Sequence, residues 1–178
     1  MFDYPNLDKL RIVHYPEPRL SQTASPIVQP EAFHRELAER MVELMVEATG
    51  VGLASNQVGW LERLIVISPS GEPGKAEGYL NPRLLKRTGT VVDSEGCLSV
   101  PGVRAKVARA EHVLVAARRL DGEEVTLEAS GYVARAWQHE IDHLNGLLFV
   151  EKVGPAARVM IASRLRRLEK AWREAAER

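Results

Sequence analysis

The most constraining stretch of the chain is His139-Glu140-Ile141-Asp142-His143. Histidines four apart on a helix stack one turn above the other on the same face, close enough to share one metal ion, and the glutamate between them then lies beside it. The pattern predicts a helix over residues 132–144, stopped near Asn145-Gly146. A helical histidine pair can equally be partly exposed surface, so the decisive question is whether a third ligand exists.

The chain has one cysteine, Cys97, within Glu95-Gly96-Cys97-Leu98-Ser99. It cannot form an intramolecular disulfide, which leaves a buried thiol, a reactive group or a metal ligand. A catalytic metal site takes three protein ligands and keeps a position for water, and a thiolate with two imidazoles makes such a tetrahedral set. The cation lowers the pKa of that water to about 7. Glu140, next to a ligand, can take a proton from the water and hand it to a leaving amine, the division of labour of metal-assisted amide hydrolysis. Asp142 either orients a histidine or faces water. The other histidines, His14, His34 and His112, are scattered and suit surface or core roles.

The surroundings read as one α+β domain over residues 1–178. Its first thirty residues are proline-rich (Pro5, Pro16, Pro18, Pro26, Pro30) and are expected as extended chain wrapping the domain. Across residues 31–48, Phe33, Leu37, Met41, Leu44, Met45 and Ala48 recur three or four apart, predicting an amphipathic helix ended by Gly50. Short apolar or alternating runs at Leu64–Ile67, 88–93, 103–108, 112–117 and 124–129, with an Asp121-Gly122 hairpin signal, predict mostly antiparallel strands around the metal-binding helix. Residues 69–78, with three glycines and two prolines, are expected as the most mobile surface loop. A last helix is expected over 156–176, with Leu165, Leu168 and Trp172 on one face.

Lysine plus arginine balance aspartate plus glutamate at 24 each, so neither DNA nor an anionic membrane is an expected partner. No apolar run reaches the roughly 20 residues of a membrane-spanning helix. The opening Met1-Phe2-Asp3-Tyr4-Pro5 lacks signal-peptide character, so the cytoplasm is the expected compartment.

Three stretches together resemble the peptide deformylases: Gly50-Val51-Gly52-Leu53-Ala54-Ser55-Asn56-Gln57, Glu95-Gly96-Cys97-Leu98-Ser99, and Gln138-His139-Glu140-Ile141-Asp142-His143 followed by Leu144-Asn145-Gly146. The likeness extends from Leu10 through Val150. It implies removal of the formyl group from the N-terminal formyl-methionine of new polypeptides, with release of formate. It further implies that Cys97, His139 and His143 bind Fe2+, with Zn2+, Ni2+ or Co2+ possible in purified protein, and that Glu140 is the general acid and base. By the same resemblance the side-chain amide of Gln57 and the backbone N–H of Leu98 would serve the developing oxyanion. Val51, Gly52 and Gly96 would line the substrate cleft, Val51 and Gly52 pairing with the peptide backbone in strand fashion. Tyr132, Arg135 and Ala136 are candidates for the methionine pocket by position. The departure is Ser55-Asn56, where many members read alanine-proline, and it is expected to alter only cleft detail.

The last helix carries Arg158, Arg164, Arg166, Arg167, Lys170, Arg173 and Arg178 against Glu169, Glu174 and Glu177. The resemblance offers the ribosome as partner for such a helix, and the alternative is a solvated basic face. Two rival functions stand beside deformylation: a metallopeptidase of the His-Glu-X-X-His type, and a non-catalytic metal-containing homologue.

Overall fold

The computed structural model describes residues 4–176 apart from 69, 71, 73 and 74. From residue 4 the chain runs extended, interrupted by 3-10 turns at Leu7–Lys9 and Pro18–Ser21. The elements then follow as α1 (Ala32–Glu47), β1 (Gly52–Ala54), β2 (Leu64–Ile67), β3 (Glu77–Thr88), β4 (Val91–Cys97), β5 (Val100–Arg109), β6 (His112–Arg119), β7 (Glu124–Ser130), α2 (Gly131–Leu144) and α3 (Pro155–Ala176). This is the expected α+β class with antiparallel sheets.

A sheet in the order β1-β2-β3-β6-β7 is antiparallel throughout, and β4 and β5 form a separate hairpin. β2 explains the arrangement. Its side chains alternate faces, and Leu64 and Val66 pack with Leu37, Met41 and Met45 of α1, while Ile65 and Ile67 pack with Trp137, Ile141 and Leu144 of α2. A strand covered on both faces has no solvent side to make polar, which is why it reads as the uninterrupted run Leu-Ile-Val-Ile. A third cluster joins Val100, Val103 and Val107 of β5 to Phe149, Val150 and Ile161, with Leu165 and Leu168 of α3 against it. Trp172, expected on that same face, is instead 36% exposed.

Two expectations are corrected. The strand expected over 88–93 straddles two elements: Thr88 ends β3, Gly89 turns the chain at φ 69°, and β4 continues to Cys97. The loop expected over 69–78 ends earlier, because Glu77 and Gly78 already pair with Ile67 and Val66, and several of its other residues lie outside the described ones. β3 itself was not expected. It contains Asn81-Pro82, and its pairing with β6 shifts register between Leu80 and Arg83 and again between Leu84 and Lys86, so its side chains never alternate cleanly.

Candidate metal centre

Three elements deliver the site. α2 carries His139, Glu140 and His143, all buried; the β4–β5 hairpin carries Cys97; the 3-10 turn Ser55–Val58 that follows β1 carries Gln57. The helix stops where expected, since Gly146 at φ 73° lets its N–H reach the His143 carbonyl and the Leu147 N–H reach the Asp142 carbonyl. Cys97 ends β4 at the two-residue turn Leu98-Ser99, opposite Val100.

The two imidazoles meet through Nε2, 3.1 Å apart, and His143 Nε2 lies 3.1 Å from Cys97 Sγ. All three ligand atoms lie within 4.8 Å of one another. Three groups able to offer lone pairs converge on one point, an arrangement that a cation can hold together. The spacing also approaches the edge of a tetrahedron with bonds of about 2.0–2.3 Å. One thiolate and two neutral imidazoles suit a borderline divalent ion such as ferrous iron, zinc, nickel or cobalt.

Glu95 sets the imidazole orientation. Its Oε1 is 2.7 Å from His139 Nδ1 and 2.6 Å from Arg109 Nη2, while Oε2 accepts from Arg135 Nη1 at 2.8 Å and Arg109 Nε at 3.1 Å. With its Nδ1 proton held by Glu95, His139 presents Nε2 as a lone pair. Burial pushes the Glu95 carboxyl up, but the hydrogen bonds from His139 and Arg109 outweigh it and hold the group well below the usual carboxylate range. Asp142 bonds neither histidine; it pairs with Arg109 and lies 3.1 Å from Lys152 Nζ, steadying His139 only at one remove.

Gln57 is held by both ends of its amide. Oε1 accepts from the Ala54 N–H at 2.8 Å, which fixes the amide orientation, and Nε2 points toward Ser99 Oγ at 3.2 Å and Cys97 Sγ at 3.5 Å. Glu140 Oε2 is buried without a partner, and burial raises the carboxyl to about 7. Gln57, Cys97, His139 and Glu140 all face one open cavity of about 360 Å³. Its other walls include Val51, Gly52, Gly96 and Leu98.

Of the three residues expected in the methionine pocket, Tyr132, Arg135 and Ala136 all line this cavity too. Arg135 lines it while its guanidinium is committed to Glu95 and to the carbonyls of Val91 and Val107. Glu95, Arg109 and Ser99 are site residues to which the sequence assigned no part; the one available signal was the place of Glu95 and Ser99 in the motif around Cys97. His34 is a core histidine, accepting from the Glu31 N–H and bonded to Glu62, and His112 is exposed.

Fold and site together define a metal-dependent α+β hydrolase class, with a Cys-His-His cluster and a buried glutamate opening on one cleft. Comparison with known proteins narrows this further: the family model for polypeptide deformylase matches residues 9–159, and the chain belongs to that family. It is 42% identical to peptide deformylase of Chromobacterium violaceum over 161 residues, covering 90% of this chain and 96% of that one. It is 41% identical to that of Acidobacterium capsulatum, covering 90% and 95%. Among solved structures it resembles peptide deformylase 1B of Arabidopsis thaliana in complex with an inhibitor, at 35% identity, TM-score 0.90 and 95% coverage of both chains. It also resembles the Thermus thermophilus enzyme, at 38% identity and TM-score 0.84, over 91% of this chain and 98% of that one.

Proposed function

We propose that this chain is a metal-dependent peptide deformylase, which hydrolyses the formamide at the N-terminus of formyl-methionyl polypeptides to formate and a free amine, and that residues 1–178 act as one catalytic domain. The observation that carries it is the convergence of Cys97 Sγ, His139 Nε2 and His143 Nε2 beside Glu140 and Gln57 on one cavity. These three residues would hold the ion, ferrous iron in the native protein. A divalent cation there supplies Lewis acidity to water and to the formyl oxygen. Glu140 takes the proton of the attacking water and returns it to the departing nitrogen; its burial, which favours the protonated form, suits a group that must do both near neutral pH. Gln57 Nε2, held by Ala54 through the other end of the amide, and the Leu98 N–H donate to the oxyanion. Val51, Gly52 and Gly96 seat the peptide, and Tyr132 and Ala136 contribute to the methionine pocket.

The peptidase and non-catalytic alternatives are less well supported. A closed structural site has no use for a buried, unpartnered glutamate oxygen beside a lined cavity, and the family to which the chain belongs is named for deformylation. A cytoplasmic location fits formylated nascent chains as substrate, and no described helix is long and apolar enough to cross a membrane. Exposed Arg166, Arg167, Lys170 and Arg173 on α3 would meet ribosomal RNA. Arg178 belongs to the same basic set but lies outside the described residues.

The test is formate release from a short formyl-methionyl peptide by anaerobically prepared protein of known metal content, with Glu140→Gln as control. Formate from the wild type and a loss of about 100-fold or more in the variant is expected. Metal-loaded, folded wild type that releases none would overturn the assignment.

A further inference from the structure

Asn56 is completely buried, next to Gln57 in the turn Ser55–Val58, and it is not part of the cavity wall. Where many members of the family read proline, this side chain turns to α2: Asn56 Nδ2 donates to the backbone carbonyl of His143. That carbonyl already accepts from the Gly146 N–H at 2.9 Å, so the end of α2 does not need Asn56 for its own satisfaction. The other end of the amide, Oδ1, is buried with no hydrogen-bond partner. Leaving such an acceptor unmatched costs about 1–3 kcal/mol, so an apolar side chain of the same size would be the cheaper filler unless the donated bond matters.

What the bond adds is a cross-link between parts of the site distant in sequence. Asn56 holds the backbone of His143, and the next residue, Gln57, places its amide 3.5 Å from Cys97 Sγ. Two consecutive residues thus touch two of the three candidate ligands, one on α2 and one on the β4–β5 hairpin. The Val13 N–H, bonded to the Gln57 carbonyl at 2.8 Å, anchors this dipeptide from the outer side.

We propose that Asn56 is a positioning residue of the metal centre, tying the His143 turn of α2 to the loop that carries Gln57 and so fixing the distance between His143 and Cys97. This rests on the metal-binding role assigned to Cys97, His139 and His143. The bond reaches the ligand through its main chain and not its ring, so its loss should weaken metal binding at the lower end of the 10–100-fold range seen when groups orienting a ligand are removed.

Asn56→Leu keeps the branching at Cγ, with a larger volume, and removes the donor; Asn56→Ala, which removes the donor without overpacking, is the second variant should the leucine not fold. Zinc affinity is measured by competition with a chromophoric chelator, and the unfolding midpoint is recorded for zinc-loaded and chelator-stripped protein. The expected result is a roughly tenfold fall in zinc affinity, with the loaded midpoint dropping further than the stripped one, because stabilisation by a ligand follows its affinity for the folded state. Unchanged zinc affinity with equal drops in both midpoints would mean that Asn56 only fills space, and would overturn the proposal while leaving the metal centre intact. Wild type indistinguishable from Cys97→Ser in zinc binding would instead remove the metal assignment and the proposal with it.

Discussion

Glu95 Oε1 lies 2.7 Å from His139 Nδ1, although 44 residues separate them in the chain. The same carboxylate holds Arg109 and Arg135, and Arg109 also pairs with Asp142, so two carboxylates and two guanidinium groups form one ion-paired unit around a single metal-ligand candidate. Glu95→Gln puts an amide where two guanidinium groups need an acceptor. We expect a stability loss of about 3–5 kcal/mol by urea unfolding, the cost of stranding buried charge. Metal affinity, measured by equilibrium dialysis, should fall 10–100-fold because His139 loses its orienting partner. A variant with wild-type values of both would remove Glu95 from the site.

Acid should dissolve this unit in a defined window. The folded-state pKa of Glu95 lies below its ordinary value near 4.5, so the stability it contributes is fully present above about 4.5 and is lost as the pH falls toward the folded value. The gap between the urea midpoints of wild type and Glu95→Gln, followed from pH 7 down to 3.5, should therefore be constant above about 4.5 and begin to narrow below it. A gap that stays constant across that range would contradict the assignment.

Gly52 is where the cleft strand meets the catalytic candidate. A Cβ added there would stand 2.6 Å from Glu140 Oε1 and 2.8 Å from its Cγ. Glu140 is buried except where it faces the cavity, so Gly52→Ala should push its carboxylate out of place in that direction. Deformylation should drop about 100-fold, the scale of a 1 Å misplacement of a catalytic group, while bound metal per chain stays at the wild-type level. Loss of metal in step with activity would show that Gly52 supports the ligands and not Glu140.

The thiolate-containing ligand set should also make the native metal detectable by its air sensitivity. Ferrous-loaded protein should lose formate-releasing activity on exposure to air, through oxidation of the iron or of Cys97, and nickel-loaded protein should keep it. Equal survival of the two forms would count against iron.

Local pattern made much of this molecule legible. The apolar spacing of Phe33, Leu37, Met41, Leu44 and Met45 described α1, and all five are buried. The histidine spacing described α2 to its last turn, because a helix repeats within four residues and leaves its periodicity in the sequence. β3 was illegible for the opposite reason: Asn81, at φ 49°, and Pro82 carry turn chemistry, and only pairing with β2 on one side and with β6, some thirty residues away, on the other makes the segment a strand. β1 is three residues long, too short to show any period.

The sequence by itself determined which residues are the candidates for the chemistry, since Cys97 is the sole thiol and His139 and His143 share a helix face whatever surrounds them, with Glu140 next to the first. Only the tertiary structure decided what holds them: Glu95 on His139, Arg109 between Glu95 and Asp142, and Asn56 on the His143 carbonyl. Helix geometry is encoded by neighbours along the chain, whereas a hydrogen bond across 44 or 87 residues depends on how the sheet, the hairpin and α2 pack, and no local pattern records that.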